Sequence, residues 1–209
     1  MGIVLLPISR YARGMDAPLN LFSQVDHEKE GLLYRYGLLD RRLLAIAAPH
    51  AGSQIMLTLT AYLAQRGRVR VLDGGNRFNA YLVARTLRSL SADDLTQALM
   101  RIQVARAFTC HQVLALLEQT PPEALPTLVL DLLDTYYDES VPLTERLRLA
   151  ERSATCLRAL SQQAVVVVSL RPPRPPATDP TGLLDIILGA ADRVWLQEPA
   201  TPDEVPRLF

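Results

Sequence analysis

Residues Ala47 to Gln54 carry the outline of a phosphate-binding loop without the side chains that work on a phosphate. Leu43–Ala48 is an apolar run of strand type, Pro49-His50-Ala51-Gly52 turns the chain, and a long apolar-periodic stretch follows from Ile55 to Leu63. Strand, tight loop and helix is the setting of the pattern G-x-x-x-x-G-K-[ST], whose lysine reaches the β- and γ-phosphates and whose hydroxyl holds Mg²⁺. Anchored on Gly52, the first glycine falls on Ala47, the lysine on Ser53 and the Ser/Thr on Gln54. The chemistry left to such a loop is binding, not turnover. The residues that would retain a vestigial nucleotide contact are Ala47, Ala48, Pro49, His50, Ala51, Gly52, Ser53 and Gln54. His50 either touches a phosphate or, as lone loop histidines more often do, bonds to backbone.

Other chemistries find little support. His27, His50 and His111 are scattered, with no metal-ligand spacing. Cys110 and Cys156 lie far apart outside any C-x-x-C pattern, so two free thiols are expected instead of a disulfide framework or zinc site. A G-x-S-x-G nucleophile elbow is missing, and Gly74-Gly75 is most simply a turn. No metal and no cofactor are expected, with ATP and Mg²⁺ as the alternative.

The elements that must position these residues follow from periodicity. Leu43–Ala48, Arg68–Leu72, Ile102–Ala105, Thr127–Leu130, Val165–Val168 with Leu170, and Val194–Leu196 read as strands. Gln54–Arg66, Ala80–Leu90, Ala92–Met100 and Cys110–Glu118 read as helices between them. Leu143, Leu147, Ala150, Ala154, Leu157 and Ser161 place one apolar stripe on a further helix. The β-branched run at Val165–Val168 shows no alternation, which fits a central parallel strand buried on both faces. Strands alternating with helices predict an α/β fold, a mostly parallel twisted sheet flanked by helices. Ligands in such sheets sit at the carboxyl ends of the strands, which singles out the loops after Ala48, Leu72, Leu130 and Leu170. Residues 1–40 form an extension of unclear structure and 41–209 the core domain.

Composition sets the outer limits. The chain has 209 residues, 49% hydrophobic and 21% charged, enough for one globular domain. No apolar run reaches the roughly 20 residues of a membrane span, and Met1–Pro7 lacks the flank and length of a signal peptide. A cytoplasmic protein with no membrane contact is the expectation. The 22 basic and 22 acidic residues cancel, which argues against whole-surface attraction to nucleic acid but leaves room for a local patch.

Four stretches, in order, resemble the core ATPase domain of the RecA-like recombinases, especially the archaeal and eukaryotic branch and its paralogues. Ala47–Gln54 occupies the place of the phosphate loop. Val71-Leu72-Asp73-Gly74-Gly75-Asn76-Arg77-Phe78 is similar to the family's strand ending in Asp-Thr-Glu-Gly-Thr-Phe. Val104-Ala105-Arg106-Ala107-Phe108, with His111-Gln112, is close to its Ala-Arg-Ala-Phe stretch. That third stretch is the most specific, because its polar residues have no generic explanation in an α/β fold. Thr127–Asp131 stands where the metal-binding aspartate and its strand belong.

The resemblance implies a RecA-like core and a setting in DNA recombination or repair. Its departures imply a pseudo-ATPase. The family's water-polarising acid falls on Gly75, so cation, metal ligand and water activator are all missing. Asp131 either survives as a magnesium ligand or caps the following turn. The family's two DNA-binding loops correspond to Leu132–Pro142 and Arg171–Thr178. Tyr136 and Tyr137 either stack on bases or form a packed or partner-facing pair in an acidic loop. Arg171 and Arg174 either contact DNA or sit on a stiff polyproline connector of SH3-ligand composition. The expected role is therefore binding and assembly with a protein partner, which is a recombinase, a sister paralogue or a second copy, and with single-stranded DNA as a further candidate ligand. The alternatives are an active ATPase with a non-standard phosphate loop and an interaction module outside recombination.

Overall fold

Six short aliphatic strands form one all-parallel sheet in the computed structural model, which describes residues 42–90, 94–172 and 181–196. The strands are β1 Leu43–Ala47, β2 Val69–Asp73, β3 Ile102–Arg106, β4 Thr127–Leu130, β5 Val166–Leu170 and β6 Arg193–Leu196. Their order across the sheet is β3-β2-β4-β5-β1-β6. The expected parallel sheet flanked by helices is thus observed. The extension at 1–40, the start of the helix expected from Ala92 and the proline run with Arg174 lie outside the described residues.

Every residue of β1, β2, β4 and β5 is buried, whichever way it points. That lack of alternation follows from helices on both faces. Helices α1 Ser53–Arg66, α2 Ala80–Ser89 and α3 Leu95–Met100 cover one face. Helices α4 Cys110–Gln119, α5 Leu143–Ser161 and α6 Leu183–Ala190 cover the other. Alternate residues of one strand feed the two layers. Leu44 and Ile46 of β1 pack with Ile55, Met56 and Leu59 of α1, while Leu43, Ala45 and Ala47 join the layer formed with α5 and α6. β5, with its run of valines, lies between β4 and β1, in the central position its composition calls for.

Local signals start and stop the helices where the chain must turn. Asn79 Oδ1 accepts from Leu82 N at 3.2 Å, Asp94 Oδ1 from Gln97 N at 2.9 Å and Thr109 Oγ1 from Gln112 N at 3.2 Å, each satisfying a first-turn donor. Gly67 follows α1, its N–H donating to Leu63 O at 3.0 Å.

Two expectations need correction. Leu143 is exposed, and Arg146 and Leu149 take the buried face at the start of α5, so the stripe is displaced there. Helix α6 had no counterpart in the sequence reading. Leu183-Leu184-Asp185-Ile186-Ile187-Leu188 is apolar nearly all round, and such a short run fits a buried helix as well as a strand.

The topology defines where a ligand would be received. The connection after β1 runs to the α1 face, while that after its neighbour β5 runs to the α6 face. The neighbours β2 and β4 diverge in the same manner, into α2 and α5. Between such strands the chain parts at the carboxyl end, where open α/β sheets bind ligands.

Candidate functional site at the carboxyl ends of the strands

The first component is the turn between β1 and α1. Ala48 is extended and its N–H donates to Leu170 O at 3.1 Å, continuing the pairing of β1 with β5. His50, Ala51 and Gly52 then adopt three successive left-handed conformations, with φ of 54°, 52° and 54°. For the two non-glycine residues this costs roughly 1–2 kcal/mol each. The turn is closed by Ala51 N donating to Ala48 O at 3.0 Å and by Ser53 Oγ donating to His50 O at 2.6 Å. A side chain at position 52 would meet Ile46 Cγ2 at 3.3 Å, so both space and φ call for glycine.

Strand, turn and helix stand in the expected order. The side chains differ from a working loop: Ser53 is bonded back to the turn, Gln54 and His50 are exposed, and Ala47, Ala48 and Ala51 are buried. Gly52 caps α1 without a side-chain hydrogen bond, and no acid lies in the first turn of that helix.

The second component is an ion-pair cluster that begins at the ends of β2, β3, β4 and β5. Asp73 is fully buried; its Oδ1 accepts from Arg77 N at 2.8 Å, and its Oδ2 accepts from Phe78 N at 3.0 Å and Arg106 Nε at 3.0 Å. Asp131, also fully buried, is held at a φ of 48° and donates its N–H to Ser169 Oγ at 3.0 Å. A single oxygen, Oδ2, accepts from both Arg77 Nε at 2.8 Å and Arg171 Nη2 at 3.2 Å. Asp134, at the start of a 3-10 turn over Asp134–Tyr137, also pairs with Arg171, and Arg77 Nη2 lies 3.9 Å from its Oδ1.

These contacts revise what was expected of Asp131. Its carboxylate does not cap the following turn; Oδ2 carries two guanidinium groups, while the buried Oδ1 has no hydrogen-bond partner among the described residues. Gly75 has a matching explanation. A Cβ there would lie 2.4 Å from Asp131 Cβ, so the backbone at 75 rests on Asp131 and no acidic side chain fits.

The candidates for DNA contact are also repositioned. Tyr136 is fully buried, its hydroxyl bonded to Ser153 Oγ at 2.7 Å, and burial pushes that hydroxyl well above its usual pKa. A ring in the core is no platform for a base, so of the two alternatives Tyr136 takes the packed one. Tyr137 is half-buried against the same core. Arg171 is turned inward to Asp131 and Asp134. Arg174 lies outside the described residues.

The polar residues of the third resembling stretch prove to have local work. Arg106 binds Asp73, and Gln112 Oε1 accepts from Phe108 N at 2.9 Å beside the Thr109 cap. Thr109 and Gln112 thus have an ordinary role in starting the helix. Sequence reasoning named Arg77 and Arg106 only as parts of a pattern and missed their pairing. Those partners lie 54 and 33 residues away along the chain, and no local spacing announces them.

Among the described residues, no helix is long and apolar enough to cross a membrane, and no three His, Cys, Asp or Glu side chains are grouped to hold a metal. No family model matches the chain, and no curated protein matches it either.

Proposed function

We propose that this chain is a RecA-like recombinase paralogue without ATP turnover, acting by binding and assembly in DNA recombination or repair. One observation carries the loss of turnover: the buried Asp131 is engaged through Oδ2 by two fixed cations, Arg77 and Arg171, with Gly75 packed where a water-activating acid would stand. Phosphoryl transfer depends on positioning and charge neutralisation together. Removing even one well-placed stabilising group costs roughly 10²–10³ in rate, so joint loss of lysine, metal ligand and acid leaves no measurable hydrolysis.

Assembly is supported by the outer edge of the sheet. Among the described residues β3 has a strand partner on one side only; Val104 within it is exposed, as are Met100 just before it and Phe108 just after it, by 80% and 68%. An edge with open backbone groups and apolar side chains suits pairing with an extended segment of a protein partner. Single-stranded DNA is a secondary ligand, since Tyr136 is in the core and Arg171 is engaged.

The test is phosphate release from Mg-ATP by the purified chain, with and without single-stranded DNA. No release above the protein-free rate is expected. Turnover that disappears in Asp131→Ala would overturn the proposal in favour of an active enzyme.

A further inference from the structure

The ion-pair cluster contains one acid unlike the others. Asp73 and Asp131 are fully buried and fix the guanidinium groups from beneath, whereas the side chain of Asp134 is 36% exposed. Arg77 and Arg171 are 28% and 27% exposed, and each is tethered to Asp131. Arg77 uses its Nε for that tether and Arg171 one of the two N–H groups of Nη2, so both keep further N–H donors of the planar fork. Those two forks converge on Asp134 Oδ1, with Arg171 Nη2 in contact and Arg77 Nη2 at 3.9 Å.

Two pre-oriented guanidinium groups around one half-exposed oxyanion form a receptor for an oxyanion, and Asp134 is the occupant. A phosphate group, with more charge and more acceptor oxygens, satisfies the same donors better than a single carboxylate does. The location is suited to it. Arg171 directly follows β5, whose Leu170 accepts from Ala48 N, so it stands beside the turn that leads into the acid-free first turn of α1. The field of that helix end also favours an anion.

We propose that Arg77 and Arg171 form a metal-independent phosphate-binding pair, and that Asp134 fills it as a displaceable internal counter-ion. The inference stands on these ion pairs and does not depend on the recombinase-like reading.

Isothermal titration of the full chain with sodium tripolyphosphate, at low salt and in EDTA, tests it. Asp134→Asn should bind about tenfold more tightly than the unaltered chain, equivalent to about 1.4 kcal/mol. Adding Arg77→Ala or Arg171→Ala should abolish that gain. Equal affinity in Asp134→Asn and the unaltered chain would overturn the proposal, as would a gain that survives loss of both arginines or one that requires Mg²⁺. If the variants lose their thermal unfolding transition, the unaltered chain still answers by NMR. Tripolyphosphate must then shift the Nε–H resonances of Arg77 and Arg171, and unmoved resonances refute the pair. Oligothymidylate that competes with tripolyphosphate assigns the phosphate to a nucleic-acid backbone; failure to compete assigns it to a free polyphosphate. Neither titration involves turnover, so this result and that of the ATP assay are independent.

Discussion

Replacing Gly75 by alanine adds one methyl group where the side chain of Asp131, just past the end of β4, already lies. The new Cβ would lie 2.4 Å from Asp131 Cβ and 2.9 Å from both Cγ and Oδ2. Relaxed carbon contacts are about 3.5–4.0 Å, so the ends of β2 and β4 must separate by about 1 Å. Overpacking of this kind costs roughly 1–3 kcal/mol. The shift also pulls Asp131 away from Arg77 and Arg171, and breaking a buried ion pair costs roughly 3–5 kcal/mol when complete. Partial disturbance places the expected loss at about 3 kcal/mol, the top of the overpacking range. For a chain of this size that lowers the melting temperature by about 6–12 °C.

Thermal and urea unfolding followed by circular dichroism measure the loss. Gly74→Ala serves as the neighbour control, because its Cβ finds nothing closer than 3.4 Å and should cost far less. Asp131→Gly removes the opposing Cβ, so Gly75→Ala should become nearly neutral in that background. A cost below about 1 kcal/mol, or an undiminished cost beside Asp131→Gly, would refute the packing argument.

Further consequences can be measured on the same preparation. Gly189 sits inside α6 with nothing within 4 Å of an added Cβ, so Gly189→Ala should stabilise by about 0.5–1 kcal/mol in urea unfolding. His50 is exposed and left-handed; His50→Gly should raise stability by up to about 1 kcal/mol, and His50→Val should lower it. Tyr136→Phe leaves the buried Ser153 hydroxyl without its partner and should cost about 1–2 kcal/mol. Burial raises the Tyr136 pKa above the ordinary 10.0, so the stability it lends is complete below that pH and declines as pH rises further. Ultraviolet titration should show this tyrosine ionising last; an ordinary titration at Tyr136 would contradict its placement.

What was legible in the sequence is what depends on neighbours along the chain. Thr127–Leu130 and the helix from Leu143 to Ser161 were readable because β-branched runs and a 3.6-residue period are local signals. Glycine after α1 and Thr109 before α4 are local too. The partners of Asp131 were not readable, since Arg77 and Arg171 come from other strand ends and only strand order brings them together. Gly75 illustrates the difference most plainly: its neighbours in sequence suggest only a turn, and packing against Asp131 explains why nothing larger is there. The left-handed path through His50 and Ala51 also escapes residue preferences, because neither residue demands it.

The position of β1 carries a consequence for how the chain is made. It emerges first among the described strands, yet its neighbours are β5 and β6: Leu43 pairs with Val166 and Leu44 with Arg193. During synthesis this strand has neither of its strand partners among the described residues until β5 has left the ribosome. Such late closure makes folding slow and leaves an apolar segment without cover in the meantime. A nascent chain arrested after β4 would hold only the β3-β2-β4 half of the sheet, with β1 still seeking an edge.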